Sequence, residues 1–148
     1  MTIWIDGDGF PSRQRDIAVN AALREDIPIT VVADRPLRVV KHPLVRTIQV
    51  ASGDDSADDT IARGAAAGDL VITRDILLME RCVAQGARCV DHTGNLVTRE
   101  NIKERVSIRS AMEAYREFGG TVAPKKQEQQ KERQAFANML VQVLTGRI

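Results

Sequence analysis

The most informative part of the sequence is a short apolar run that ends in two closely spaced aspartates. Residues 3–11 read Ile-Trp-Ile-Asp-Gly-Asp-Gly-Phe-Pro. An apolar run of this length, rich in β-branched residues, is typical of a buried strand. Asp6 and Asp8 then lie at the carboxyl end of the strand, where open α/β sheets bind ligands. Because two adjacent carboxylates repel each other, the spacing indicates a site for a divalent cation such as Mg²⁺ or Mn²⁺.

The same stretch also fits a purely structural role. Asp-Gly is common in tight turns, and Asp8 stands where it could cap a helix that begins after Pro11. In either case Gly7 and Gly9 let the backbone turn sharply and leave room for a ligand to approach. On this segment alone the metal site and the turn are both open alternatives.

A second acidic strand end lies at residues 69–75, Asp-Leu-Val-Ile-Thr-Arg-Asp. The pattern predicts a strand over Leu70–Thr73, so Asp75 follows its carboxyl end and joins the first two carboxylates as a candidate catalytic and metal-binding residue. Asp69 precedes the strand and lies at the opposite edge of a parallel sheet, which indicates a loop or salt-bridge role. Asp75 has a structural alternative as the N-cap of a helix over Ile76–Gln85.

A third acidic group opens a predicted alanine-rich helix and consists of Asp54, Asp55, Asp58 and Asp59. Ser56 with Asp59 resembles a capping box, and acids in a first helical turn gain about 0.3–1 kcal/mol each from the helix dipole. Capping accounts for one or two of the four acids. It does not account for all four, because like charges this close cost free energy unless they are solvated or bound to a cation. If Asp58 or Asp59 points inward, it is a further candidate metal ligand, and three strand ends then supply acids to one place.

Strands and helices alternate along most of the chain, and this alternation predicts an α/β fold with a mainly parallel sheet flanked by helices. The predicted strands are Thr2–Ile5, Ile29–Ala33, Thr47–Ala51, Leu70–Thr73 and Arg88–Val90. The predicted helices are Ser12–Glu25, Asp58–Ala67, Ile76–Gln85 and about Asn101–Phe118.

The last part of the chain is predicted to be a linker and a helix. Residues 119–130 are polar and include Pro124, and Arg133–Leu144 carries apolar side chains at helical spacing. We therefore expect an α/β domain over residues 1–120. Residues 121–148 are expected to form a linker and a C-terminal helix packed on the same domain, with a partner subunit as the other surface that could cover the helix.

Composition narrows the class of protein. A length of 148 residues fits one domain. No apolar stretch is long enough to span a membrane, and acids stand where a signal peptide would need a basic region, so we expect a cytoplasmic protein without a membrane partner. Cys82 and Cys89 are then expected to be reduced and buried. Cys89 and His92 lack a second ligand pair, which argues against zinc.

The net charge of +1 conceals an asymmetry along the chain. Residues 1–96 carry 11 basic and 14 acidic side chains, whereas residues 97–148 carry 10 and 6. An acidic pocket beside a basic helical tail would suit a polyanion held at a metal, although mixed charge on helices is more often a solvated surface. Arg109 and Arg133, on the basic helices, are candidate RNA-binding residues. The few aromatic residues offer no clear stacking platform for single-stranded nucleic acid.

Several segments together resemble the bacterial YaiI/YqxD family, over about residues 2–140. They are Asp-Gly-Asp-Gly-Phe-Pro near the start, Ala-Asp-Asp at 57–59, Gly-Asp-Leu-Val-Ile-Thr-Arg-Asp at 68–75 and Arg-Gln-Ala-Phe at 133–136. The resemblance implies a PIN-like three-layer α/β fold, and it implies no established activity. PIN domains in general resemble nucleases that hold Mg²⁺ or Mn²⁺ with acids at strand ends. By that similarity the acidic positions are matched by Asp6, Asp8, Asp58 and Asp75.

The chain departs from the family pattern at two places. Residues 9–11 are Gly-Phe-Pro where family members often have Ala-Cys-Pro, which indicates that a thiol here is not essential. Asp59 stands where many members have Asn. The additional carboxylate increases the need of the site for a cation.

The leading functional hypothesis is a metal-dependent phosphodiesterase that acts on RNA, with Asp6, Asp8 and Asp75 as its catalytic residues. An aspartyl phosphatase with Asp6 as nucleophile and Asp8 as acid/base is a rival, but it would need a lysine and a hydroxyl at other strand ends, and Lys41 is the only lysine before residue 103. A metal- or RNA-binding module without turnover is the non-enzymatic alternative.

Overall fold

The structure, a computed structural model, describes residues 1–53, 56–119 and 125–148. The strands are β1 (Ile3–Asp6), β2 (Ile29–Ala33), β3 (Val45–Gln49), β4 (Leu70–Ile72), β5 (Arg88–Val90) and β6 (Leu96–Val97). The helices are α1 (Ser12–Arg24), α2 (Ser56–Gly64), α3 (Ile76–Ala84), α4 (Ile102–Glu117) and α5 (Lys126–Leu144).

The six strands form one sheet in the order β3-β2-β1-β4-β5-β6. Strands β1 to β5 run parallel to one another, and β6 runs antiparallel to β5. All residues of β2 and β4 are buried, as expected for strands covered on both faces, and this explains why all their residues but Thr30 are apolar. The prediction of an α/β fold with a mainly parallel sheet and a C-terminal helix is confirmed.

Two apolar cores lie on the two faces of the sheet. Ile3 and Ile5 of β1 belong to the core beneath α1 and α5, whereas the intervening Trp4 packs against the core beneath α2 and α3. This is the period of two that a strand requires. The C-terminal helix is part of the first core, because Phe136 is fully buried and its ring centre lies 6.0 Å from that of Phe10.

Several predicted boundaries were wrong. The helix α5 begins at Lys126 rather than at residue 133, because its first turns consist of polar Gln, Glu and Lys, which favour helix without contributing to the apolar stripe. The remaining part of the predicted linker, residues 120–124, lies outside the described residues. Strand β3 starts two residues earlier than predicted, α2 covers 56–64 rather than 58–67, and β6 was not predicted.

Other features of the described chain agree with the composition. Cys82 and Cys89 are both buried free thiols. Within the described residues, no helix combines the length and the apolar character needed to span a membrane.

Candidate functional site

The candidate site lies where the chain changes direction across the sheet. Strand β1 leads through α1 to β2 on one side, whereas β4 pairs with β1 on the other side. The carboxyl ends of β1 and β4 therefore flank a topological switch point, the place where open α/β sheets bind ligands. Asp6 is the last residue of β1, and Thr73 follows directly after β4.

Asp6 is a buried carboxyl group at this switch point. Only 8% of its surface is exposed. Its Oδ2 accepts a hydrogen bond of 3.0 Å from the Thr73 hydroxyl, and its Oδ1 accepts one of 3.3 Å from the Asp8 backbone N–H. Burial raises the pKa of Asp6 to about 6, the two hydrogen bonds oppose the shift, and the charges of Asp8 and Asp75 add to it. A bound cation would favour the ionised form of this group.

Asp8 connects the ends of two neighbouring strands. Both of its carboxylate oxygens lie 3.1 Å from the backbone N–H of Asp34, directly after β2, and accept a hydrogen bond from it. The pKa of Asp8 is raised, first by burial. The capping role considered for Asp8 is not observed, because the N-cap of α1 is Pro11 and no side-chain cap hydrogen bond is formed at this helix end.

Asp75 is the N-cap of α3, as its structural alternative predicted. Its Oδ1 accepts a 2.9 Å hydrogen bond from the Leu77 N–H. Its own backbone N–H donates to the Thr73 hydroxyl oxygen at 3.0 Å. Capping uses one carboxylate oxygen and leaves the other without a hydrogen bond to the described residues.

The three aspartates line one cleft of about 510 Å³, which we call the acidic cleft. Its walls consist of Asp6, Asp8, Gly9, Arg74, Asp75, Ile76, Leu77 and Arg109. Arg109 reaches it from α4, where its guanidinium also lies 3.2 Å from Glu113 one helical turn away. The structure thus brings together three predicted acids and one predicted RNA-binding arginine.

The acids of α2 are placed differently. Asp58 is not among the residues that line the acidic cleft. Its negative charge affects the Cys82 thiol of α3: a hydrogen bond with Cys89 lowers the pKa of this thiol, and the charge of Asp58 opposes that shift. Asp59 forms a 2.9 Å ion pair with Arg81 of α3. The part of Asp58 in a metal site stays a prediction. The other two acids of this group, at 54 and 55, lie outside the described residues.

Asp69 lies at the opposite edge of the sheet, as predicted, and has a structural role. It accepts hydrogen bonds from the Thr2 N–H at 2.9 Å, the Trp4 indole N–H at 3.2 Å and the Ala66 N–H at 2.9 Å. These bonds tie the start of β1 to the loop before β4. Of the two roles expected for Asp69, the loop role is the one observed, since Asp69 forms no salt bridge within the described residues.

The acidic cleft has the ligand chemistry of a site for a hard divalent cation, because Mg²⁺ and Mn²⁺ prefer carboxylate oxygens. The arrangement is more open than a finished coordination sphere. Within residues 1–53, 56–119 and 125–148, no group of three or more His, Cys, Asp or Glu side chains is arranged to hold a metal ion. Ion binding would therefore draw the three carboxylates closer together, against the hydrogen bonds that now hold Asp8 and Asp75.

A second cleft of about 590 Å³ adjoins the acidic cleft and shares Arg74 with it. We call it the basic cleft, and it is lined by Pro11, Ser12, Arg13, Gln14, Arg74, His92, Lys126, Gln129, Glu132 and Arg133. Arg133, a candidate RNA-binding residue, lies here, and the other cations of the cleft, Arg13, Arg74 and Lys126, were not among the predicted residues. The count of charges along the chain gave no sign of Arg13 and Arg74, because both belong to residues 1–96, which carry more acidic than basic side chains.

The fold and the two clefts define an α/β protein with carboxylates at the switch point of a mainly parallel sheet. The family model described as the uncharacterised YaiI/YqxD family matches residues 4–146, and the chain belongs to this family. It is 41% identical over 147 residues to a UPF0178 protein of Halorhodospira halophila, covering 99% of this chain and 97% of the relative. The chain is 42% identical over 147 residues to a UPF0178 protein of Thioalkalivibrio sulfidiphilus, and the match covers 99% of this chain and 100% of the relative. No solved structure matches significantly.

Proposed function

We propose that this protein is a metal-dependent phosphodiesterase that cleaves RNA and uses Mg²⁺ or Mn²⁺. One observation carries the proposal: the buried carboxyl of Asp6, at the switch point of the sheet, shares a cleft with Asp8 and Asp75. Burying a carboxylate costs free energy unless a counter-charge compensates it. A cation held by the three aspartates would provide that compensation.

The residues of the acidic cleft have different roles in the proposed reaction. Asp6, Asp8 and Asp75 would hold the ion, which when bound lowers the pKa of a water and stabilises the charge on the leaving oxygen. Thr73 keeps the Asp6 carboxyl in place through its 3.0 Å hydrogen bond. Arg74 and Arg109, on the walls of the cleft, would bind the phosphate oxygens and offset the repulsion between the substrate and the aspartates.

The phosphatase alternative is less well supported. Thr73 supplies a hydroxyl beside Asp6, but no lysine is among the described residues that line the acidic cleft. Its cationic groups are the two arginines. A module that binds RNA or metal without turnover is the remaining alternative, and it is an outcome of the following test.

The test is cleavage of a labelled single-stranded RNA by the purified protein in Mg²⁺, Mn²⁺ or EDTA. We expect cleavage with a metal, loss of cleavage in EDTA, and loss in Asp6→Asn, Asp8→Asn and Asp75→Asn. Asn is as good an N-cap as Asp, so Asp75→Asn removes the charge and keeps the cap. Asp16→Asn is the matched control, because Asp16 is an exposed aspartate of α1 outside both clefts.

Three outcomes would contradict the proposal. Cleavage that persists in EDTA excludes a metal-dependent reaction. Cleavage that is equal in Asp8→Asn and the natural protein indicates a contaminating ribonuclease. Binding of RNA without cleavage in either metal favours the module without turnover.

A further inference from the structure

The basic cleft carries an excess of cationic side chains. Arg13, Lys126 and Arg133 line it together with Arg74, against one carboxylate, that of Glu132. In the described part of the chain, none of these four cations forms an ion pair. Four positive side chains around a concave surface repel one another, and an anion in the cleft would relieve this repulsion.

Two helices begin at this cleft. Ser12, Arg13 and Gln14 form the first turn of α1, and Lys126 is the first residue of α5. The first N–H groups of a helix have no intrahelical acceptor, and at α1 the N-cap residue Pro11 provides no side-chain acceptor for them. The positive ends of both helix dipoles therefore add to the charge of the side chains.

A buried polar atom in the wall of the cleft also lacks a partner. His92 lines the cleft, and its Nδ1 is buried without a hydrogen bond to any described residue. Its neighbour Gln14, only 4% exposed, donates through Nε2 to the His92 carbonyl at 3.3 Å and so keeps this part of the wall in place. The imidazole of His92 therefore lies in the wall of the cleft, where its signals can report an anion that binds there.

Arg74 joins the basic cleft to the acidic cleft. The Arg74 side chain lines both clefts. Its Nη1 donates a hydrogen bond of 3.2 Å to the Gly9 carbonyl, which holds the guanidinium in place between the two clefts. Arginine presents five N–H donors in a fixed plane. Its remaining donors could therefore contact an anion on either side.

We infer that the basic cleft is a phosphate-binding subsite, which holds one phosphate group of an RNA strand while the neighbouring acidic cleft receives the phosphodiester to be cut. The inference rests on the proposed function in taking RNA as the ligand. The phosphate is either a backbone phosphodiester or a terminal 5′-phosphate, since both present anionic phosphate oxygens. Recognition through phosphate rather than bases agrees with the scarcity of aromatic side chains, 3% of the sequence.

The first test is a titration with inorganic phosphate at constant ionic strength, followed by NMR of the imidazole signals. The chain has two histidines, and His42, which is exposed on the β2–β3 connection, is an internal control. We expect a saturable shift of the His92 signals and no comparable shift of the His42 signals. Equal shifts of both, or none at His92, would overturn the inference.

The second test measures binding of a fluorescent single-stranded RNA by anisotropy in EDTA, where no metal-dependent cleavage occurs. Lys126→Gln and Arg133→Gln should each weaken binding about tenfold, as expected for a charge-assisted hydrogen bond. The slope of log affinity against log salt should fall by about 0.7 for each lost phosphate contact. Arg63→Gln, an exposed arginine of α2 outside both clefts, should leave affinity and slope unchanged.

The two proposals can fail separately. If the Lys126 and Arg133 variants bind like the natural protein, with the same salt slope, the phosphate subsite is wrong even if the protein cleaves RNA. If those variants bind weakly but no metal supports cleavage, the subsite stands and the nuclease proposal fails. Comparing 5′-phosphorylated with 5′-hydroxyl RNA identifies the phosphate: a preference lost in Arg133→Gln marks a terminal group, and equal affinities mark a backbone group.

Discussion

The hydroxyl of Thr73 donates a 3.0 Å hydrogen bond to Oδ2 of Asp6, although the two residues are 67 positions apart in the sequence. The same hydroxyl oxygen accepts the Asp75 backbone N–H at 3.0 Å. Because Thr73 is fully buried, it holds two of the three aspartates of the acidic cleft in a fixed relation. One side chain thus connects the ends of β1 and β4 and the start of α3.

Thr73→Val tests this role with a side chain of nearly the same shape. The change leaves Oδ2 of Asp6 and the Asp75 N–H without their hydrogen-bond partner, so we expect a loss of about 1–3 kcal/mol in the free energy of unfolding above pH 7. The pKa of Asp6 should rise further, because the lost hydrogen bond lowers it. Denaturant unfolding and a carboxyl NMR titration measure the two effects. Thr73→Ser keeps the hydroxyl and should retain most of the stability and the pKa.

Asp6 should make the stability of the metal-free protein depend on pH. Its pKa is about 6 in the folded state against an ordinary value of 3.8, so the folded state holds the proton more tightly. The free energy of unfolding should therefore fall by about 3 kcal/mol as the pH rises from about 4 through 6, and then level off. Asp6→Asn should abolish this decrease and be the more stable form at pH 8. A natural protein whose stability rises across this range, relative to Asp6→Asn, would contradict the assignment.

Divalent metal should stabilise the fold through the acidic cleft. A ligand that binds only the folded state adds about 2.7 kcal/mol at a hundred times its dissociation constant. We expect the melting temperature in Mn²⁺ or Mg²⁺ to exceed that in EDTA, and the difference to disappear in Asp6→Asn and Asp8→Asn. An unchanged melting temperature, together with no heat of binding in calorimetry, would exclude the site.

Asp69 is expected to matter for stability and not for activity. It accepts three N–H groups at the opposite edge of the sheet, and Asp69→Asn replaces one acceptor oxygen by an amide that cannot accept. The free energy of unfolding should fall by about 1–3 kcal/mol. Metal-dependent cleavage, measured well below the melting temperature, should be retained. Loss of cleavage in a folded Asp69→Asn protein would show that the two edges of the sheet are coupled.

Gly94 allows the β5–β6 connection to approach α5. A Cβ on Gly94 would lie 2.6 Å from the Ala135 carbonyl carbon, whereas a Cβ on Gly68 would meet nothing within 4 Å, and the two glycines have nearly equal φ angles of 89° and 87°. Gly68→Ala should cost only the strain of positive φ, about 1–2 kcal/mol. Gly94→Ala should cost about 1–3 kcal/mol more, because α5 must move away. Urea unfolding of both variants measures the difference, and equal losses would show that the close contact is easily relieved.

The sequence alone was enough to predict the elements whose local pattern is strong. Strands buried on both faces carry mostly apolar side chains, so β2 and β4 were found within one residue. Asp6, Asp8 and Asp75 stood out because a carboxylate directly after such a strand has to turn toward solvent or a ligand. The start of α5 was missed because its polar first turns carry no apolar signal.

Only the tertiary structure decided which of these groups meet. Local patterns do not encode that β4 pairs with β1, and this pairing puts Thr73 beside Asp6. Nor do they encode the packing of α2 on α3, which pairs Asp59 with Arg81 outside the acidic cleft. The basic cleft combines residues from α1, α5 and three loops. Hydrogen bonds and electrostatic contacts act over a few ångströms in space, so they depend on how the elements pack rather than on their order along the chain.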